Sequence, residues 1–131
     1  PTSDEGWNFS GGFRVYLVRG GTSPLDEYNG IHYIMVIRSF EGRAAEDIFN
    51  GQDTKEARGL QKALWRSAWR KLEMLDSARS LVELAALPGN RLEKLQGDLA
   101  NSYSIRINEK FRIVFRWENA NAFAVRITDY H

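Results

Sequence analysis

The spacing of apolar residues changes along the first part of the chain. Ile31 to Phe40 is dominated by β-branched and aromatic residues, which is typical of a strand. Apolar side chains then recur at helical intervals over Arg43–Asn50, which is followed by Gly51, and along a stripe from about Leu60 to Ser77. The pattern predicts a strand, a short helix and a longer amphipathic helix.

The remainder of the chain has the pattern of short strands. Ser80–Ala86 is expected to add a helical turn capped by Ser80, and Pro88–Asn90 ends it. Four strands are predicted next, and the short polar turns between them make neighbouring strands antiparallel. They are Arg91–Gln96, Ser102–Asn108, Phe111–Trp117 and Phe123–Thr128. This order predicts an α+β fold: an N-terminal strand, two helices and a four-stranded antiparallel meander, with the helices on one face of the sheet.

The predicted strands alternate between an apolar face and a face rich in arginine. The arginine face carries Arg106, Arg112, Arg116 and Arg126. A surface arginine is usually solvated or paired with a carboxylate. Several on one pleated face favour an anion-binding surface, because the planar guanidinium suits phosphate oxygens. We expect this face to be free to bind a polyanion such as single-stranded RNA.

Composition narrows the class of protein. The chain has 131 residues, 43% of them apolar, which predicts a single globular domain and excludes extensive disorder. Cysteine is absent and the histidines are His32 and His131, which argues against a zinc site. Residues 1–34 hold two basic and four acidic side chains, so the basic excess lies in residues 35–131. Without an apolar stretch long enough to span a membrane, we expect a soluble cytoplasmic protein.

Two tryptophans on the long helix have two possible roles. Trp65 and Trp69 are four residues apart and therefore neighbours on one helical face. Packing against the sheet or the N-terminal segment is the expected role. A platform on which nucleic-acid bases stack is the alternative.

Several motifs, in order along the chain, resemble the HigB toxins of bacterial toxin–antitoxin modules, which belong to the RelE/ParE-type superfamily. They are Val36–Phe40, Arg70–Asp76, Pro88–Glu93 with Gly97–Asp98, Ser104–Asn108, Phe111–Trp117 and Asp129–His131. The resemblance covers residues 35–131 and defines the expected RelE-like toxin domain. Residues 1–34 form an N-terminal extension of unknown role, which we expect to be dispensable for catalysis.

The resemblance implies a ribosome-dependent mRNA endonuclease that needs no metal or other cofactor. The 2′-hydroxyl of the target nucleotide is the implied nucleophile. The implied catalytic residues are Arg112, which holds the phosphate, Asp129, which orients His131 or acts as a base, Tyr130, which positions or stacks the substrate, and His131, the acid or base. The expected RNA-binding residues are Arg91, Lys94, Arg106, Arg116 and Arg126.

The resemblance also implies partners. A helix-turn-helix antitoxin of the HigA type is expected to hold the toxin inactive, and operator DNA is expected to bind only through their complex. The ribosome and mRNA are the other expected partners.

Two alternative functions stay open on the sequence. ParE-like relatives keep the fold but act on DNA gyrase and need no nuclease residues. A non-catalytic RNA- or ribosome-binding module is favoured by Glu93 and Gln96, which stand where some relatives have a histidine and a lysine. The terminal Asp129–His131 motif and Arg112 favour RNA cleavage.

Overall fold

The computed structural model describes residues 27–28, 31–32, 35–97 and 101–129. Most of the predicted extension, residues 1–34, lies outside the described residues, as do the candidate site residues Tyr130 and His131.

The order of elements confirms the α+β prediction. Two short strands, β1 (Glu27–Tyr28) and β2 (Ile31–His32), pair antiparallel with each other. The helices are α1 (Ala44–Phe49), α2 (Trp65–Asp76) and α3 (Leu81–Ala86), with short 3-10 turns at Ala57–Gly59 and Lys62–Leu64. The strands of the main sheet are β3 (Glu93–Lys94), β4 (Ser102–Arg106), β5 (Phe111–Glu118) and β6 (Asn121–Asp129). The helix α3 adds a third helix to the two expected, and the predicted cap is present, since Ser80 Oγ accepts the Glu83 N–H at 3.0 Å.

The predicted long helix begins later than its apolar stripe. A 3-10 turn precedes α2, and the indole Nε1 of Trp65 donates to the carbonyls of Ala57 at 3.1 Å and Leu60 at 2.8 Å. These bonds fix the loop before the helix to its first turn. Trp65 is buried and Trp69 packs against the core, which confirms the packing role expected for both side chains.

The main sheet has the order β3-β4-β5-β6 with antiparallel neighbours, as predicted. The predicted strand over residues 31–40 differs, because β2 covers only Ile31–His32. Further along, Ile37 and Phe40 bridge β6 in parallel at Ala122 and Val125. The Asp76 carboxylate at the end of α2 accepts the Ile37 N–H at 2.8 Å, so this segment is tied to both the helix and the sheet.

The core lies between the helices and one face of the main sheet. Its fully buried members include Ile48 and Phe49 of α1, Leu72 and Leu75 of α2, and Ile105, Ile113, Phe115 and Val125 of the sheet. Because the strands alternate, this packing leaves the arginine face on the side away from the helices.

Candidate functional site

The strand register places the four arginines on one face. Arg106 pairs directly with Arg112, and Arg112 pairs with Thr128. One step along, Ser104 pairs with Val114 and Val114 with Arg126, while Arg116 lies two residues beyond Val114 on the same strand. Directly opposed residues of an antiparallel pair share a face.

The centre of this face is buried, which corrects the expectation that the whole face is open. Ser104 is 0%, Val114 3% and Arg112 6% exposed. The small Ser104 side chain leaves room on β4, and the Arg112 side chain extends from β5 across it toward β3. Arg112 is therefore part of the packed sheet as well as of the basic surface.

Hydrogen bonds fix the orientation of the Arg112 guanidinium. Its Nε donates to Ser104 Oγ at 2.7 Å, and its Nη2 donates to the carbonyl of Ser104 at 3.3 Å and to the carbonyl of Arg91. A guanidinium held by several acceptors in a planar fork keeps its direction without rearrangement. Such fixed donors are the kind that stabilise developing negative charge in a reaction.

Glu93 is the carboxylate beside this guanidinium. It pairs with Ser104 in the β3–β4 register, so it lies on the arginine face, and its Oε2 is 3.9 Å from Arg112 Nη1. The Glu93 side chain is 51% exposed while that of Arg112 is 7% exposed. The pair therefore combines a fixed cation with a carboxylate that solvent and a ligand can reach.

The turn that ends at Asn90 contacts two further basic residues, Lys71 and Arg106. Asn90 is fully buried; its Oδ1 accepts from Lys71 Nζ at 2.6 Å, and its carbonyl accepts the Arg106 N–H at 2.7 Å. Its Nδ2 donates to the Leu84 carbonyl at 3.0 Å. The next residue, Arg91, is exposed and has a positive φ of 45°. We call Lys71, Arg91, Arg106 and Arg112 the Asn90 cluster.

Burial and charge both act on the lysine of this cluster. Partial burial, and secondly the nearby Arg106 guanidinium, lower the pKa of the Lys71 amine below its ordinary value. Both causes disfavour the charged amine, one by loss of water and the other by repulsion. The two cations are therefore close enough to affect each other.

Two other arginines of the face are paired with carboxylates of the chain. Arg116 Nε lies 3.0 Å from Glu118, and Arg126 Nη1 lies 3.2 Å from Glu41. The Arg116 guanidinium also stacks 5.0 Å from the centre of the Phe123 ring. We call Arg116–Glu118 and Arg126–Glu41 the β6 pairs, because Arg126 belongs to β6 and Arg116, although it belongs to β5, lies over Phe123 of β6.

Two predicted site residues lie on the opposite side of the sheet. Lys94 pairs with Tyr103, one step out of phase with Glu93, so it lies on the face opposite the arginines. Asp129 pairs with Phe111, one step out of phase with Arg112, and its carboxylate is 3.7 Å from Lys110 Nζ. The structure therefore does not bring Asp129 and Arg112 to one face.

Sequence reasoning missed three parts of the site. The sequence places Lys71 only within the Arg70–Asp76 motif, Asn90 only at the end of the Pro88–Asn90 turn, and Glu93 only as a departure from relatives. A signal for Glu93 was present, because its position in β3 puts it beside Ser104 once the strands pair. The position of Lys71 depends on how α2 packs, which the local pattern does not specify.

The comparisons with known proteins bear on this site and its fold. Residues 38–131 match the family model described as the RelE-like toxin of the type II toxin–antitoxin system HigB. The chain belongs to the HigB-like toxins. This confirms the resemblance read from the motifs.

Two curated relatives share part of this HigB-like toxin. Toxin HigB-1 of Vibrio cholerae serotype O1 is 39% identical over 66 residues, which are 50% of this chain and 70% of that protein. An uncharacterized protein of Haemophilus influenzae is 34% identical over 56 residues, 43% of this chain and 55% of that protein.

A solved structure is similar to the HigB-like toxin at lower identity. A chain of the YoeB–YefM complex from Staphylococcus aureus is 23% identical, with a TM-score of 0.47, and the match covers 74% of this chain and 97% of that one.

Among the described residues, no helix is both long enough and apolar enough to cross a membrane.

Proposed function

We propose that this HigB-like toxin is a metal-independent endoribonuclease that cuts mRNA on the ribosome and so inhibits translation. The observation that carries the proposal is the Arg112 guanidinium, fixed by Ser104 and the Arg91 carbonyl beside the exposed Glu93 carboxylate. Family membership supports it, since the chain is a type II toxin. The surrounding Asn90 cluster supplies the positive charge that an RNA backbone requires.

Cleavage through the 2′-hydroxyl needs three groups at the scissile phosphate. A base takes the 2′-proton as the 2′-oxygen attacks phosphorus, and an acid gives a proton to the departing 5′-oxygen, which leaves a 2′,3′-cyclic phosphate. A fixed cation stabilises the charge that develops on the phosphate oxygens. In our proposal Arg112 is this cation, and Glu93 is a base that the geometry adds to the residues implied by resemblance.

The terminal residues keep the roles that the resemblance implies. His131 is proposed as the acid or base, Tyr130 as a group that positions or stacks the target nucleotide, and Asp129 as the residue that orients His131. Asp129 lies on the face opposite Arg112, so in this proposal it acts through His131 and does not contact the phosphate that Arg112 holds.

RNA-binding roles divide by position. Arg91 and Arg106 lie in the Asn90 cluster, next to Arg112, and are proposed to contact the backbone on either side of the cut. Arg116 and Arg126 lie farther out and are already balanced by Glu118 and Glu41, so they are proposed as peripheral contacts.

Primer extension on mRNA engaged by translating ribosomes tests the proposal. The purified 131-residue chain is expected to produce discrete cuts that need the ribosome and persist in a chelator. Arg112→Ala is expected to abolish them, and Arg126→Gln is the matched control. Loss of DNA gyrase supercoiling with intact mRNA supports the ParE-like alternative. Ribosome binding without cuts supports a non-catalytic module.

An antitoxin is the proposed protein partner. A toxin of a type II system is held in check by an antitoxin protein, and we propose a helix-turn-helix protein of the HigA type, which carries any operator binding. Co-expression with an adjacent gene of that type is expected to restore growth. A toxin that no neighbouring gene relieves contradicts this part of the proposal.

A further inference from the structure

Lys71 and Arg106 are two cations that meet at Asn90, the lysine through its amine and the arginine through its backbone N–H, and within the described part of the chain neither has a balancing carboxylate. Both side chains are half-buried, and within that part neither forms an ion pair with a carboxylate, in contrast to Arg116 and Arg126. Like charges held together raise the free energy of the folded state unless an anion lies between them. Such a pair is therefore a ready anion site.

The fold holds this pair in place through Asn90. The Asn90 amide ties Lys71 to the end of α3, and the Asn90 carbonyl binds the Arg106 backbone. The Lys71 amine also lies near Gly89, where an added Cβ would be at an ordinary contact distance of 3.6 Å from the amine. A long lysine side chain loses considerable conformational entropy when it is fixed. Here a neutral amide oxygen fixes the amine, so its positive charge remains available to an anion.

The position of the pair identifies the ligand. Arg106 is the direct cross-strand neighbour of Arg112, and such neighbours have Cβ atoms about 4.5–5.5 Å apart. Arg106 therefore connects the Lys71–Asn90 contact to the strand position opposite the fixed Arg112 guanidinium. Resting on the proposed RNA substrate, we propose that Lys71 and Arg106 together bind one backbone phosphate of single-stranded RNA, next to the phosphate held by Arg112, with Asn90 as the positioning residue.

The test is the salt dependence of RNA binding by the full chain. The probe is a short single-stranded RNA with 2′-O-methyl riboses, which blocks cleavage, and binding is followed by fluorescence anisotropy. Each phosphate contact contributes about 0.7 to the slope of log affinity against log salt for a single strand. We expect Lys71→Gln to lower the slope by about 0.7 and Lys71→Arg to restore it. Lys55→Gln, which removes the same charge from an exposed turn before α2, is expected to leave the slope unchanged.

A double variant tests whether the two cations share one phosphate. Lys71→Gln with Arg106→Gln is expected to lose the slope of a single contact, about 0.7, whereas separate phosphates predict about twice that loss. Thermal midpoints recorded in parallel report folding. A Lys71→Gln protein with a lowered midpoint and an unchanged slope overturns the subsite and leaves Lys71 a purely structural role.

The outcomes separate this proposal from the proposed function. A wild-type protein that neither cuts mRNA on ribosomes nor binds the probe overturns both. A wild-type protein that cuts mRNA, while Lys71→Gln keeps the full slope, overturns only the subsite. Cutting by a wild-type protein whose probe binding has no salt dependence also overturns the subsite alone.

Discussion

The two ends of the arginine face hold clustered positive charge in different ways. In the β6 pairs, each guanidinium lies within 3.2 Å of a carboxylate of the chain itself. In the Asn90 cluster, four cations surround a turn, and the exposed carboxylate of Glu93 lies 3.9 Å from Arg112 Nη1. An anionic ligand gains most where positive charge is not already balanced. Among the arginines of this face, Arg106 and Arg112 are therefore expected to bind the anionic ligand more strongly than Arg116 and Arg126 do.

Replacing Arg112 is expected to have the largest effect. Arg112→Ala removes the fixed guanidinium and is expected to lower the rate of mRNA cleavage by about 100-fold or more. It also leaves the buried Ser104 acceptors and the partly buried Arg91 carbonyl without their donor, so we expect a loss of about 1–3 kcal/mol in the free energy of unfolding. Ribosome-dependent primer extension and urea denaturation measure the two effects.

Arg112→Lys is the control for charge. It keeps the cation but not the planar fork that bonds Ser104 and Arg91 together, so cleavage is expected to stay low. Full cleavage by folded Arg112→Ala protein would contradict the role of this residue.

Glu93→Gln is expected to have the next largest effect and to separate catalysis from binding. Loss of a general base lowers the rate by about 100-fold or more. Because the carboxylate beside Arg112 is removed, RNA affinity is expected to stay the same or rise. Single-turnover rates and probe affinity, measured together, check this split. A variant that cuts at the wild-type rate shows that Glu93 is not the base.

The β6 pairs are expected to tolerate substitution. Arg116→Gln and Arg126→Gln each break an exposed ion pair, and such pairs contribute roughly 0–1 kcal/mol. Because these pairs already balance their own charge and lie away from the Arg112 guanidinium, we expect cleavage within about fivefold of wild type. A loss comparable to that of Arg112→Ala would remove the distinction between the two ends.

The smallest expected effect is a pH dependence of stability due to Lys71. Its pKa is lowered in the folded protein, so at pH values between the lowered and the ordinary pKa the unfolded state binds more protons. The free energy of unfolding contributed by this group therefore rises with pH in that window, which ends near the ordinary lysine value of about 10.4. Lys71→Met is expected to remove this rise in thermal midpoint. An unchanged pH profile in the variant would show that the amine titrates normally.

The sequence predicted the order of elements because local patterns determine them. Strand alternation, the apolar stripe of α2 and the Ser80 cap are all properties of neighbouring residues, and each was confirmed. Membership of the HigB-like family followed from motifs in the correct order.

Features that depend on distant parts of the chain were not predicted. The parallel bridges of Ile37 and Phe40 to β6 join segments whose local pattern shows only that they are extended. The burial of Arg112 depends on the small Ser104 side chain of the neighbouring strand β4, to which its guanidinium donates. The face of the sheet on which Lys94 lies depends on the register of the two-residue strand β3. The contact of Lys71 with Asn90 depends on helix packing.

The parallel pairing beside β6 has a consequence for the order in which the protein folds. Side-chain bonds join Arg38 to Asn121 and Ser39 to Ala124, at sequence separations of 83 and 85 residues. Closing so long a loop is slow, and the rest of the sheet forms from adjacent hairpins. During synthesis the segment at residues 35–41 therefore remains without its partner strand until the ribosome has made the residues that lie 83 to 85 positions further along the chain. The sheet therefore cannot be completed until translation has produced β6, and translation is the process that we propose the finished protein inhibits.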